Sequence, residues 1–157
     1  VSGRRLPELI SDRLWQPLGA AEDAEITVDR AGYGLACGGF SATLRDLGRF
    51  GLAYLDGGRV EGRQVIPRRW VEDVRQGAHG VFDAPARAEF PRGAYRNQFW
   101  IEDRGLARHY CLGIFGQMIF VAPDAGLVAV KLSSWPEATG GGRLMQTVEA
   151  LHAVARL

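Results

Sequence analysis

The sequence predicts an α+β domain, an antiparallel sheet flanked by helices, and three observations carry that expectation. Met118–Val121 and Leu127–Leu132 are short, nearly continuous apolar runs rich in β-branched and aromatic residues, the pattern of strands covered on both faces. Between them, Ala122-Pro123-Asp124-Ala125-Gly126 has the chemistry of a tight hairpin turn. Pro123 presets φ, Asp124 can bond its own backbone, and Gly126 can adopt the left-handed conformation that closes the loop. Stretches of helical periodicity lie on both sides of this strand-rich segment, so the sheet is built from local hairpins and not from alternating βα units.

Taken in order, Leu6–Trp15 places Leu6, Ile10 and Leu14 every four residues behind Pro7 and is expected to be a helix stopped by Pro17 and Gly19. A short extended run, Glu25–Val28, precedes the glycine-rich loop Ala31–Phe40. Thr43 and Asp46 form a capping pair for a helix whose apolar face comprises Leu44, Leu47, Phe50, Gly51, Tyr54 and Leu55. Gly57-Gly58 ends it. Arg59–Ile66 suits a small hairpin around Glu61-Gly62, and Pro67 opens a further short helix through Val74. Gly77–Gly93, with Pro85 and Pro91, reads as an irregular excursion. Tyr95–Asp103 reads as one strand centred on Gln98–Ile101. Tyr110–Gln117 reads as an apolar strand interrupted by Gly113 and Gly116, where a ligand can approach the backbone closely. Leu144, Val148, Leu151 and Ala155 line one face of a last helix.

Composition narrows the function classes. The net charge of +1 and the absence of a basic patch argue against a nucleic-acid partner, and no run is long enough for a membrane span. Cys37 and Cys111 lack metal-ligand spacing and are expected to be buried free thiols. Neither a GxGxxG after a strand nor a GxxxxGK[ST] is present, so dinucleotide and P-loop readings fall away, and no cofactor is expected. The chain begins Val-Ser-Gly-Arg-Arg, which reads as an internal start, and its compartment is left open.

The order of motifs resembles a known family. Gly38-Gly39-Phe40-Ser41-Ala42-Thr43-Leu44-Arg45-Asp46-Leu47-Gly48-Arg49-Phe50-Gly51, then Gly57-Gly58, Gly62, Val65-Ile66-Pro67 and Trp70-Val71, resemble the C-terminal half of serine hydrolases of the class C β-lactamase and penicillin-binding-protein type. Gln98-Phe99-Trp100, Gly113-Ile114-Phe115-Gly116-Gln117 and Val130–Pro136 are most similar to the 6-aminohexanoate-dimer hydrolase branch. The resemblance implies acyl transfer on an amide or ester substrate by a serine paired with lysine in Ser-x-x-Lys and assisted by a tyrosine. It identifies residues 1–157 as the C-terminal segment of such a domain, the missing N-terminal part of the same protein carrying the nucleophile.

No serine here is followed three positions later by lysine: Ser2 leads to Arg5, Ser11 to Leu14, Ser41 to Leu44, Ser133 to Pro136 and Ser134 to Glu137. The catalytic serine, lysine and tyrosine are thus expected upstream, and the 157 residues alone are expected to be inactive. Tyr95-Arg96-Asn97 imitates a Tyr-x-Asn motif but lies too far downstream and reads as part of a strand. The resemblance assigns Leu112, Gly113, Ile114, Phe115 and Gly116 to the strand that completes the oxyanion hole, with Ile114 or Leu112 as backbone donor. Phe115 stands where relatives often carry histidine, which favours an apolar acyl or amine group. Asp29, Tyr33, Cys37 and His109 are candidate pocket-wall residues. His79 and His152 read as loop and helix residues, no metal ligand set is expected, and Lys131 is assigned to the sheet. The alternatives are a non-catalytic binding or regulatory module of the same fold and a structural subdomain that assembles with a separate chain.

Overall fold

The computed structural model describes residues 2–77 and 90–157. His79, Pro85 and most of the expected irregular excursion lie outside the described residues.

A five-stranded antiparallel sheet in sequential order organises the chain. Its strands are β5 (Ala94–Arg96), β6 (Phe99–Asp103), β7 (Arg108–Gly113), β8 (Gln117–Ala122) and β9 (Leu127–Lys131). Small two-stranded hairpins precede it: β1 (Glu25–Ile26) with β2 (Phe40–Ser41), and β3 (Arg59–Val60) with β4 (Arg63–Gln64). The α-helices among the described residues are α1 (Leu6–Ile10), α2 (Leu44–Leu55), α3 (Arg68–Gln76) and α4 (Gly141–Val154).

Alternation along the strands sorts the core into two layers. Ile101, Ile119 and Val121 pack with Tyr54, Val71 and Val74 on the face covered by α2 and α3. Tyr110, Met118, Phe120 and Ala122 pack with Val148 on the opposite face, where Leu144 and Leu151 of α4 join them. Covering both faces explains why β8 reads as an unbroken apolar run. The β8–β9 hairpin forms as expected, with Pro123–Ala125 as a 3₁₀ turn and Gly126 at φ 61°.

Three expectations about the elements need correction. Tyr95–Asp103 is two strands, because Asn97 and Gln98 both take positive φ (51° and 68°) and turn the chain back on itself. The Tyr110–Gln117 run is a strand only to Gly113; Ile114–Gly116 is a 3₁₀ turn that returns the chain into β8. The helix begun by α1 widens over Ser11–Trp15 to π geometry, with Gln16 N–H donating to Ser11 O at 3.0 Å. That last turn buries Trp15, whose Nε1 donates to Glu22 O at 2.8 Å.

The capping pair of α2 holds, and it does more than cap. Thr43 Oγ1 accepts from Asp46 N–H and donates to Asp46 Oδ2, while the buried carboxylate also accepts from Ala21 N–H at 2.9 Å and Arg49 at 2.6 Å. These bonds, the Ala21 N–H first, hold the Asp46 carboxyl below the usual range and tie the segment after Trp15 to the start of α2. Tyr95-Arg96-Asn97 is structural, as its strand reading implies: Arg96 forks onto Asp73 at 2.8 and 2.9 Å and Asn97 Nδ2 donates to the same carboxylate at 2.8 Å, joining the end of α3 to the β5–β6 hairpin.

Helix α2 approaches the sheet through Gly51. A Cβ there would sit 2.5 Å from Val128 Cγ1 and 3.1 Å from Ile119 Cγ2. Gly51→Ala is expected to destabilise the fold by about 1–3 kcal/mol despite the better helix propensity of alanine. Combination with Val128→Ala should recover part of that loss, and denaturant unfolding of the single and double variants measures the coupling.

Candidate active site

The turn that ends β7 sits at the mouth of an apolar cavity of about 380 Å³. Trp100, Tyr110, Leu112 and Met118 come from the sheet, Ile114 and Gly116 from the turn, Trp135 from the segment after β9, and Gly140 and Leu144 from the start of α4. The site arises because β7 outruns its neighbour. The β6–β7 register ends at Trp100 opposite Tyr110, so Leu112 and Gly113 continue past it with β8 alone alongside.

The turn has unusual geometry. Phe115 and Gly116 are consecutive residues at positive φ, 57° and 84°. Gly116 is obligatory, since a Cβ would fall 2.4 Å from the Trp135 ring and 2.5 Å from Ser133 Oγ. Phe115 pays conformational strain of about 1 kcal/mol or more and is held by its backbone. Its N–H donates to Ala138 O at 3.0 Å, and its carbonyl accepts from Trp135 N–H at 3.1 Å. Ile114 differs from its neighbour. It is 62% exposed, and as the first residue of the turn its N–H lies ahead of the turn's own hydrogen bonds. No acceptor elsewhere among the described residues meets that N–H.

The expected site residues divide into two groups. Leu112, Gly113, Ile114 and Gly116 line the cavity, and Phe115, 40% exposed, stands on the same turn. Asp29, Tyr33 and Cys37 do not line it. Asp29 Oδ1 accepts from the N–H groups of Ala31 and Tyr33, both at 2.9 Å, so this carboxylate shapes its own loop, and Tyr33 is exposed. Cys37 is exposed and not buried, because the Gly38-Gly39 turn carries no core-facing side chain that would draw it inward. Cys111 lies against the core as expected, and burial pushes its thiol up to about 12.

His109 overturns its candidacy. It alternates with Tyr110 and so faces the other side of the sheet, fully buried against Tyr54 and Phe99 with ring centroids at 6.0 and 5.6 Å. Nδ1 lies 2.8 Å from Ala107 O. Adjacency to the cleft strand suggested a pocket-wall role; the reach of α2 and α3 over that face buries it instead.

No charged residue lines the cavity among the described residues, and the one phenol in it is unavailable as a base. Tyr110 donates to Glu102 Oε2 at 2.7 Å in the interior, and burial followed by the adjacent carboxylate pushes its phenol far up. His152 Nε2 lies 2.6 Å from Glu102 Oε1, out of line for a hydrogen bond, and its cavity is a separate one beneath α4. The cavity therefore has an apolar wall and, among the described residues, no nucleophile–base pair.

The sequence model of the family described as Beta-lactamase matches residues 1–153. The chain belongs to the beta-lactamase family. It is 39% identical to the 6-aminohexanoate-dimer hydrolase of Paenarthrobacter ureafaciens over 98% of its own length. It also superposes, with a TM-score of 0.82 and 28% identity across 99% of the chain, on the solved structure of "Putative 6-aminohexanoate-dimer hydrolase from Bacillus anthracis". The chain spans 42% of the first relative and 40% of the second. The helix-and-antiparallel-sheet architecture is thus that of the beta-lactamase family. Within this member, no group of three His, Cys, Asp or Glu residues among the described residues could hold a metal ion, and no helix there is long and apolar enough to cross a membrane.

The residues that the sequence left unnoticed are Trp100, Tyr110, Trp135 and Leu144 as cavity walls. Trp135-Pro136 was a usable signal: a tryptophan four residues beyond a strand, just before a proline, has no place in the strand ladder and must pack elsewhere.

His109 yields a pH prediction. Burial holds its ring neutral in the folded state down to about 4, whereas the unfolded chain takes up the proton near 6.5. Stability is then complete above pH 6.5 and is lost as the pH falls toward 4, by about 1.4 kcal/mol per pH unit within that window. His109→Phe should flatten this segment of the pH–stability curve, as measured by urea unfolding at stepped pH.

Proposed function

We propose that the protein carrying these residues is a serine hydrolase that cleaves amide or ester bonds of small molecules through a covalent acyl-enzyme, and that this chain supplies part of its oxyanion hole and an apolar pocket wall. The carrying observation is Ile114, an exposed residue lining the apolar cavity, whose N–H meets no acceptor outside its own turn and strand among the described residues, on a turn whose next N–H is already committed to Ala138. In such a site the serine Oγ attacks the substrate carbonyl carbon, and its proton passes through a base to the departing amine or alcohol. The negative charge that develops on the carbonyl oxygen is met by two fixed N–H dipoles, the nucleophile's own and that of Ile114. Water then attacks the acyl-enzyme carbon and releases the acid.

The reactive serine, its lysine and the tyrosine would lie on polypeptide beyond residues 1–157. Two facts support this: no Ser-x-x-Lys occurs in the sequence, and the chain corresponds to less than half of its relatives. The apolar lining and Phe115 favour an aliphatic acyl or amine group, and likeness to a 6-aminohexanoate-dimer hydrolase points to a linear amide. A non-catalytic binding module of the same fold is the second reading, favoured by the lack of any charged group among the described residues that line the cavity.

Fluorophosphonate labelling separates the two. A serine of the full-length protein should label, while the 157 residues alone should not; an unlabelled full-length protein favours the binding module. The donor itself is tested by Ile114→Pro, which deletes the N–H at a first-turn position suited to proline, after an extended Gly113 (φ −116°, ψ 162°). It should lower kcat by about 10²–10³ in an ester hydrolysis assay on the full-length protein with little change in thermal stability.

A further inference from the structure

Lys131 is the one lysine of the chain, and it does not serve the surface. From the end of β9 its ammonium reaches Gly116 O at 3.0 Å and Ser133 Oγ at 2.7 Å, and it lies 4.4 Å from the centre of a Trp135 ring. Three N–H donors thus meet a carbonyl, a hydroxyl and an aromatic face. Ser133 Oγ in turn lies 2.9 Å from Phe115 O and 2.8 Å from Gly116 O, the two carbonyls of the strained turn. The Gln117 amide completes the frame by pairing with the Ser133 backbone in both directions: Oε1 accepts from Ser133 N–H at 3.0 Å and Nε2 donates to Ser133 O at 2.5 Å.

We infer that Lys131, Ser133 and Gln117 form a latch that fixes the shape of the Ile114–Gly116 turn, making Lys131 a positioning residue for acyl transfer. The inference rests on the hydrolase reading above and adds a residue that touches neither the cavity nor the substrate. Consecutive positive φ values at Phe115 and Gly116 persist only where surrounding contacts over-determine them. Ala138 and Trp135 hold the Phe115 backbone, while the ammonium holds Gly116 O and the Ser133 hydroxyl that reaches both turn carbonyls. A neutral side chain of the same length would fill the space but leave Gly116 O and Ser133 Oγ short of a donor, so the turn would relax and the Ile114 N–H would lose its aim. Positioning errors of this kind reduce turnover without weakening substrate binding, since the donor acts on charge present only in the transition state.

The test uses the full-length protein and two readouts. Lys131→Met should raise hydrogen exchange in the peptide covering residues 112–118 and lower kcat for p-nitrophenyl butyrate by between about 10- and 100-fold, with KM changed no more than about twofold. Ser133→Ala, a smaller change that carries the test if Lys131→Met does not fold, should shift both readouts in the same direction by less. Unchanged exchange over residues 112–118 overturns the latch, and raised exchange with unaltered kcat overturns its positioning role. A wild-type protein with no phosphonate-reactive serine defeats the hydrolase reading instead, a result independent of either variant.

Discussion

The constraint on which the structure depends is the burial of one sheet on both faces. β7 and β8 alternate side chains between two apolar layers, so neither layer can be removed without exposing half of each strand. Each layer calls for its own helix. On one side α2 comes close enough to need Gly51, and on the other α4 lays Leu144, Val148 and Leu151 over Tyr110 and Phe120. The start of α4 and the end of β7 are thereby brought to the same edge of the molecule, where they enclose the cavity.

The geometry of the turn follows from that enclosure. With β7 running past β6, its last residues have β8 alone beside them, and the chain must reverse within three residues to enter β8 in register. Positive φ at Phe115 and Gly116 achieves the reversal. The hydrogen bonds from Trp135, Ser133 and Lys131 hold it, and the packing of Trp135 under the Gly116 Cα leaves no room for a side chain there. What emerges from this frame is an exposed Ile114 at the head of the turn, beside the apolar cavity.

Much of this was legible in the residues. The β8–β9 hairpin, the Thr43–Asp46 cap, the Glu61-Gly62 turn and the apolar face of α4 rest on local chemistry, and each forms where the sequence indicated. The misread strand runs share one cause. Asn97, Gln98 and Phe115 turn the chain through left-handed residues other than glycine, which composition does not announce, so strand runs were read straight through them. His109 was offered as a pocket wall because it adjoins the cleft strand, whereas strand alternation sends it to the far face; the Asp29–Cys37 loop was offered on family resemblance, and Asp29 folds that loop on itself. Family membership, carried by motifs spread along the chain, was plain; side-chain direction, which depends on register, was not.

β9 closes the order of strands, and among the described residues no partner pairs with its outer side. Leu-Val-Ala-Val-Lys is a half-buried, β-branched strand, and the charge that would ordinarily guard such a rim is turned inward to Gly116. The sheet is therefore extensible at that rim: its ladder ends at Leu127–Lys131 with hydrogen-bonding groups in place for another extended segment. Committing the sole lysine to the turn has left this border of the sheet without an electrostatic deterrent to addition.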